Sequence, residues 1–463
     1  MLSRKNTSLF FLLILTGILF SCIPFQQKLN KDHLNIGLTL IPPSPVSNKI
    51  TLDIRAGLKN YSNTQIKNAD VTFYLDKKST KNILNQEQVS IAPDSAVLVK
   101  FSWETAGNEG KHRIILEVIT DNQHFESEKE IIILHSETRS TDRIDGAWFG
   151  FYHWSEDEGK YWNSEIKKMT DTQWDEMMSA QSKIGMNIIV IQEIFRNPTA
   201  YAHKHTMEQD GYKGIPYYPS TLYPGKVDLA SEDPLEAILA AADKNNMHVF
   251  VGIGLYAWFD FSAESLRWHK KVADEVWQKY GHHPSFYGWY ISEEQDGGLG
   301  TTEDRENIVS FFREFKQHVH KYGPDKPIML ATNSHNLRGV EPTYRELLKH
   351  LDILCPFAFH RMPEHDLTGE QAAEKLQLLA DEAEAHLWLD MEVFEFAEKN
   401  ALVPRPIDGV LSDLHRFKNF EKILCYQFPG LMNSPEMSIK PGGERTVKLY
   451  LDYKKYYDSL QKE

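Results

Sequence analysis

From Ile144 to the end of the chain, short apolar runs alternate with longer amphipathic stretches eight times over. This alternation constrains the fold more than any other feature. The apolar runs cover residues 147–154, 187–195, 248–256, 286–294, 328–333, 353–360, 386–394 and 423–428. Between them, stretches such as 172–184, 234–244, 265–280, 306–322 and 371–385 place apolar residues at helical spacing, and 446–460 follows the last run. Strand followed by helix, repeated, implies a parallel sheet and an α/β class. Eight such units in roughly 320 residues match the count and size of a (β/α)8 TIM barrel. A doubly wound open sheet is the alternative topology for the same alternation.

Residues 34–137 have a different texture. Ile50-Thr51-Leu52-Asp53-Ile54-Arg55-Ala56 alternates with period two, as do Val71-Thr72-Phe73-Tyr74-Leu75 and the run 114–119. Clusters such as Asn60-Tyr61-Ser62-Asn63 and Gly107-Asn108-Glu109-Gly110 supply turns. About seven short strands in a hundred residues predict an antiparallel β-sandwich. The stretches 71–76, Ile91-Ala92-Pro93, Phe101-Ser102-Trp103 and Gly110-Lys111-His112 resemble bacterial cell-adhesion-related immunoglobulin-like modules. That resemblance implies a spacer or accessory domain without chemistry of its own. A polar linker, 138–143, then leads into the barrel at 144–463.

The amino terminus reads as an address. Arg4 and Lys5 precede an almost continuous apolar run from Leu9 to Phe20, a length that suits a signal segment better than a spanning helix. Leu19-Phe20-Ser21-Cys22 resembles the lipobox of bacterial lipoproteins. By that resemblance 1–22 is a signal peptide, Cys22 carries lipid, and 23–33 is a tether; a plain secretory peptide is the alternative. The expected location is the cell envelope, as a lipoprotein of the outer membrane facing the periplasm or the exterior, held by acyl chains alone. With a formal charge of −14 the chain lacks the cationic footprint of a nucleic-acid binder. It has three cysteines, too few for a disulfide framework, and Cys355 and Cys425 lie in apolar runs where a thiol serves as a small core residue.

Chemistry in such a barrel sits at the carboxyl ends of the strands. The fourth run ends Ser292-Glu293-Glu294, and the seventh ends Asp390-Met391-Glu392-Val393-Phe394; Glu193 ends the second. Side chains alternate along a strand, so Leu387, Leu389 and Met391 share one face, and Trp388, Asp390 and Glu392 share the axis-facing one. On the fourth run Gly288, Tyr290, Ser292 and Glu294 share the face suited to the interior. This favours Glu294 over Glu293, although a bulge at the strand end would reverse the choice. Two carboxyls across a barrel mouth suit glycosidic cleavage, one protonating the leaving oxygen and the other attacking the anomeric carbon or activating water.

The layout resembles clan A glycoside hydrolases, which retain anomeric configuration. The run from Trp289 to Glu294 is similar to the Trp-x-x-x-Asn-Glu motif of that clan's barrel β-galactosidases, which places Glu294 at their acid/base and Glu392 at their nucleophile. Where those enzymes have Asn, this chain has Glu293, which implies altered sugar recognition. The segments Asp233-Pro234-Leu235-Glu236, Phe286-Tyr287-Gly288-Trp289-Tyr290-Ile291 and Asp390-Met391-Glu392-Val393-Phe394 resemble the barrel family called domain of unknown function 4434.

The remaining strand ends carry aromatic and amide groups suited to a carbohydrate cleft. Trp148, His153, Trp154, Glu193, Tyr256, Trp258, Glu293, Asn333, His335, His360, Tyr426 and Gln427 are the expected substrate contacts. The long loop 196–231 contributes Tyr212, Tyr217, Tyr218 and Tyr223 as one expected wall. His153, His335, His360 and Glu193 raise a metal-dependent hydrolase as a rival. Without His-x-His on the first strand or HExxH on a helix, the expectation is no metal and no cofactor. A non-catalytic glycan-binding lipoprotein on the same scaffold is the other alternative.

Overall fold

The computed structural model describes residues 34–121, 123–153, 155–196, 214–254 and 260–461. Eight strands come first: β1 (Leu34–Ile41), β2 (Val46–Ser47), β3 (Thr51–Asn60), β4 (Ile66–Leu75), β5 (Ile83–Ile91), β6 (Ala96–Glu104), β7 (Gly110–Thr120) and β8 (His124–Leu134). They form two sheets, β1-β3-β6 and β2-β8-β7-β4-β5, antiparallel except for the β2–β8 pair. Alternate residues Leu52, Ile54, Ala56 and Leu58 of β3 meet Val71, Phe73, Ile114 and Leu116 in a shared apolar core.

The second half builds a parallel sheet from β9 (Gly146–Phe149), β10 (Ile188–Ile191), β13 (His248–Gly252), β14 (Phe286–Gln295), β15 (Ile328–Thr332), β16 (Ile353–Leu354), β17 (His386–Leu387), β18 (Leu389–Glu392) and β21 (Ile423–Tyr426). Two hairpins stand outside it, β11 (Phe195–Arg196) with β12 (Ile215–Pro216), and β19 (Phe394–Phe396) with β20 (Leu402–Pro404). The order is β17-β16-β15-β14-β13-β10-β9-β21-β18. Because β17 and β18 are two halves of one strand interrupted at Trp388, the order returns to its starting position. The Trp388 N–H donates to Leu354 O at 2.9 Å on one side, and the Leu389 N–H donates to Lys422 O at 2.8 Å on the other. Nine segments therefore occupy eight positions of a closed barrel, and the open sheet is set aside.

Helices α1 (Asn163–Ile166), α2 (Asp171–Ser182), α3 (Pro234–Lys244), α4 (Ala263–Tyr280), α5 (Thr302–Val319), α6 (Glu341–Leu347), α7 (Gly369–Glu382), α8 (Ile407–Arg416) and α9 (Glu444–Leu460) surround it. Their starts are set locally. Asp233 accepts from the Glu236 N–H with Pro234 at the first helical position, while Thr301/Asp304 and Thr368/Gln371 form reciprocal capping boxes. Strand residues facing the helices, among them Trp289, Ile291, Leu389 and Met391, join the helix layer in the main core. Those facing inward, including Trp148, Phe250, Tyr290, Met329 and Trp388, fill the barrel axis. Among the described residues, no helix is long and apolar enough to cross a membrane.

The β1-β3-β6 sheet lies across the amino-terminal end of the barrel. Ile41 is fully buried within the axis cluster, and the Tyr287 hydroxyl donates to Leu40 O at 2.6 Å. The face of β3 that its alternation leaves polar is buried here rather than solvated: Arg55 pairs with Asp53 at 2.7 Å and with Asp352 of the barrel at 2.9 Å, and Lys316 on α5 reaches Asp352 at 2.8 Å. Gly37 and Gly57 stand opposite each other in register where Asp325 comes in to bond Thr39; a Cβ on Gly37 would lie 2.8 Å from the Asp325 carboxylate. Glycine permits that approach.

Candidate active site

At the opposite end of the barrel, the ends of β14 and β18 meet at a cavity of about 230 Å³. Alternation along β14 sends Tyr290 to the axis and Trp289 and Ile291 to the helix layer. Glu293 follows the outward set: it is fully buried, with an oxygen 3.8 Å from His269 Nε2 on α4. Glu294 follows the inward set and lines the cavity, half-buried. Along β18, Asp390 and Glu392 point to the same cavity, beneath and at its mouth. Glu158, from the loop after β9, and Arg361, from a 3-10 turn at Phe359–Arg361, complete the charged lining. Phe394, Phe396 and Leu402 of the β19–β20 hairpin form an apolar wall, with Phe357 and Tyr426 alongside.

The environment separates the two mouth carboxyls. Burial pushes Glu294 up to about 8, helped by the nearby charges of Glu158 and Glu392 and opposed by Arg361. Burial acts on Glu392 in the same direction, but there it is overcome. Arg361 Nε lies 2.7 Å and its Nη2 2.6 Å from Glu392 Oε1, and His360 Nδ1 lies 3.0 Å from Oε2, so this carboxyl falls below the usual range. At neutral pH one carboxyl keeps its proton and the other is ionised. Glu158 rises to about 7, mainly through burial, and Asp390 rises far above the ordinary range through burial and the adjacent Glu392 and Glu294.

Other expected contacts fall at varying distances from this centre. His360 touches Glu392 directly, and Tyr426 lines the cavity with its hydroxyl 3.2 Å from His153 Nε2. His153 is buried and lowered to about 4 by that burial, hence neutral, with Nε2 3.7 Å from Glu158. His335 is half-buried, its burial lowering its pKa. Glu392 takes its partners from the turn after the sixth strand, at His360 and Arg361.

Several expectations are corrected. Glu293 faces the helix layer because strand alternation carries it outward, and His269 is fully buried beside it. Trp148 packs in the barrel axis edge-on to Tyr290, under the site rather than in it. Glu193 is buried with its carboxyl raised far up by desolvation. Asn333 spends its side-chain oxygen on the N–H groups of Gly297 and His335, shaping the loop, and Gln427 donates to Pro429 O at 2.9 Å. Tyr217 and Tyr218 are core residues, the latter bonded to Glu275 at 2.6 Å, so they form no cleft wall. Trp154, Tyr256, Trp258, Tyr212 and Cys22 lie outside the described residues.

Seven of the cavity's ten lining residues, Glu158, Phe357, Arg361, Asp390, Phe394, Phe396 and Leu402, had not been expected to contact substrate. Arg361 directly follows His360 in the chain. Asp390 shares the axis-facing side of Glu392. Glu158 and Phe396 come from a loop and a hairpin that periodicity does not resolve. The four residues of the rival metal reading are not brought together among the described residues: His360 pairs with Glu392 and His153 bonds Tyr426. Among the described residues, the His/Asp/Glu group spaced for a cation is Glu117, His124 and Glu126 on the sandwich, and Lys78 already pairs with both glutamates there.

Residues 144–439 match the family described as domain of unknown function 4434. The chain belongs to that family. No curated protein matches it. Among solved structures, a candidate α-L-fucosidase from Bacteroides thetaiotaomicron is 18% identical at a TM-score of 0.51, over 68% of this chain and 93% of that one. Bacteroides uniformis β-glucuronidase 2, covalently bound to a carboxylate aziridine, is 12% identical at a TM-score of 0.40. This domain of unknown function 4434 protein is covered there over 92% of its length but spans only half of that enzyme. At 18% identity the likeness to the first of these shows the fold alone.

Proposed function

We propose that the protein is a glycoside hydrolase of retaining mechanism, with Glu294 as acid/base and Glu392 as nucleophile. One observation carries this reading: two carboxyls in one small cavity, at the ends of the fourth and seventh strand positions, are driven to opposite ionisation states. Glu294 enters the reaction protonated and gives its proton to the departing glycosidic oxygen. Glu392, ionised and oriented by His360 and Arg361, attacks the anomeric carbon from the other side of the sugar. Having lost its proton, Glu294 then draws one from water, which displaces Glu392 and restores the original anomeric configuration. The apolar wall of Phe394, Phe396 and Tyr426 suits a sugar ring, and the glycosidase-like fold accords with the chemistry.

The test is a fluorinated-sugar inactivator matched to the best substrate, followed by peptide mass spectrometry. Labelled Glu392 is the expected result; a wild-type enzyme that inverts the anomeric centre would overturn the mechanism. Supported by sequence alone, we further propose that Cys22 is lipidated and anchors the protein in the cell envelope. Cys22→Ala is expected to move the protein from the membrane fraction to the soluble one, and its retention on membranes would refute the anchor.

A further inference from the structure

Asp390 differs from the other acids around the cavity. It lies two residues before Glu392 on the same strand face, at the cavity floor, and only 4% of it is exposed. Its Oδ1 is buried with no hydrogen-bond partner; Glu392 Oε2 also lacks a hydrogen bond, but that carboxylate is paired with Arg361 at Oε1 and with His360, whereas no cation pairs with Asp390 among the described residues. A buried polar atom left unmatched is costly, and such atoms are ordinarily satisfied by protein, water or ligand. The cavity, at about 230 Å³, is smaller than the roughly 300–1,000 Å³ typical of drug-sized sites. It has room for a single sugar ring.

We propose that Asp390 is a specificity-determining residue that reads a hydroxyl of a neutral sugar ring seated in this cavity, an inference that rests on the glycosidase reading. With Glu392 ionised two residues away, a second anion at the floor is disfavoured, and burial together with both neighbouring carboxyls holds Asp390 in its acid form. A carboxylic acid donates one hydrogen bond and accepts another, as a sugar hydroxyl does. A uronic acid turned the same way would bring its carboxylate beside the ionised Glu392, where like-charge repulsion and lost hydration disfavour it.

The experiment starts from a panel of nitrophenyl glycosides of neutral, amino and uronic sugars, assayed with the full-length protein. The best substrate is expected to be a neutral sugar. Its monodeoxy analogues are then assayed with wild type, Asp390→Ala and Asp390→Asn. Asp390→Ala should lower kcat/KM on the parent sugar by about 10–100-fold, the worth of one buried hydrogen bond. One deoxy analogue should lose a similar factor in wild type, and for that analogue alone the two losses should not add. Asp390→Asn, which keeps a donor and an acceptor, should retain most activity, which separates recognition from simple failure to fold. Losses that add for every analogue, or a best substrate that is a uronide or an amino sugar, would overturn the role of Asp390 alone. No turnover of any glycoside by wild type, with Glu294→Gln indistinguishable from it, would overturn the glycosidase reading and this inference together.

Discussion

Glu294 and Glu392 share one cavity, yet His360 and Arg361 bond only the second. For the proposed mechanism the consequence is a window in pH. Glu392 must be ionised, and its lowered pKa keeps it so down into the acid range, so the acidic limb of kcat/KM should fall below the ordinary carboxylate region. Glu294 must be protonated, and its pKa of about 8 allows this up to mildly alkaline pH, so activity should decline as pH rises through about 8. Glu294→Gln should remove that alkaline limb and slow substrates with poor leaving groups by about 10²–10⁴. Glu158, at about 7, is the competing source of an alkaline limb. Glu158→Gln should leave the limb in place; if the limb vanishes instead, the acid has been misassigned. At this scale the sequence was most legible where alternation applies, since 389–392 and 290–294 sort their side chains by position alone. Arg361 was less so: its turn follows Ala358, whose left-handed backbone (φ 69°) no periodicity reports.

The β19–β20 hairpin illustrates what periodicity hides at the scale of elements. Residues 386–394 read as a single strand, but the structure breaks the run at Trp388 and ends it at Glu392, and Phe394 opens a separate antiparallel pair with Pro404. An apolar residue at every second position looks the same whether it continues a strand or starts a hairpin. The hairpin is held by the Leu402 N–H bonding Glu158 O at 3.1 Å and the Arg405 N–H bonding Val393 O at 2.9 Å. It presents Phe396, 54% exposed and edge-on to Phe394 at 5.3 Å. Large aromatics exposed at a cavity rim suit an apolar ligand face. Phe396→Ala should change the stability of the fold by no more than about 0.5 kcal/mol. It should weaken binding of oligosaccharides to the Glu294→Gln protein by roughly tenfold, a stacking contribution of about 1.4 kcal/mol. Calorimetric titration would check this, and unchanged affinity would remove Phe396 from the binding surface.

For the whole molecule, the decisive contact is the sandwich sheet laid over the barrel base. Its polar side, Asp53, Arg55 and Lys59, alternates with Leu52, Ile54 and Leu58 and so reads from sequence as a solvent face. The burial of that side was illegible because Asp352, the barrel partner of Arg55, lies 297 residues away, as Asp325 lies 286 residues from Thr39 on the neighbouring strand. Arg55→Met should destabilise the protein by about 3–5 kcal/mol by stranding buried carboxylates, read as a lowered urea midpoint. Asp352 is held below the usual Asp range by Arg55 and Lys316. A depressed folded pKa contributes stability that is present above the unfolded value and is lost as pH falls below it. The acid-induced loss of stability should therefore be shallower in Arg55→Met than in wild type; an equal slope would mean that the pair carries no linkage. The same contact also fixes a direction. The first described residue, Leu34, belongs to the sheet under the barrel, whereas Glu294 and Glu392 open from the far end. Under the proposed anchor at Cys22, the lipid would join the chain on the side of the base, leaving the mouth to open on the side of the barrel away from the point of attachment.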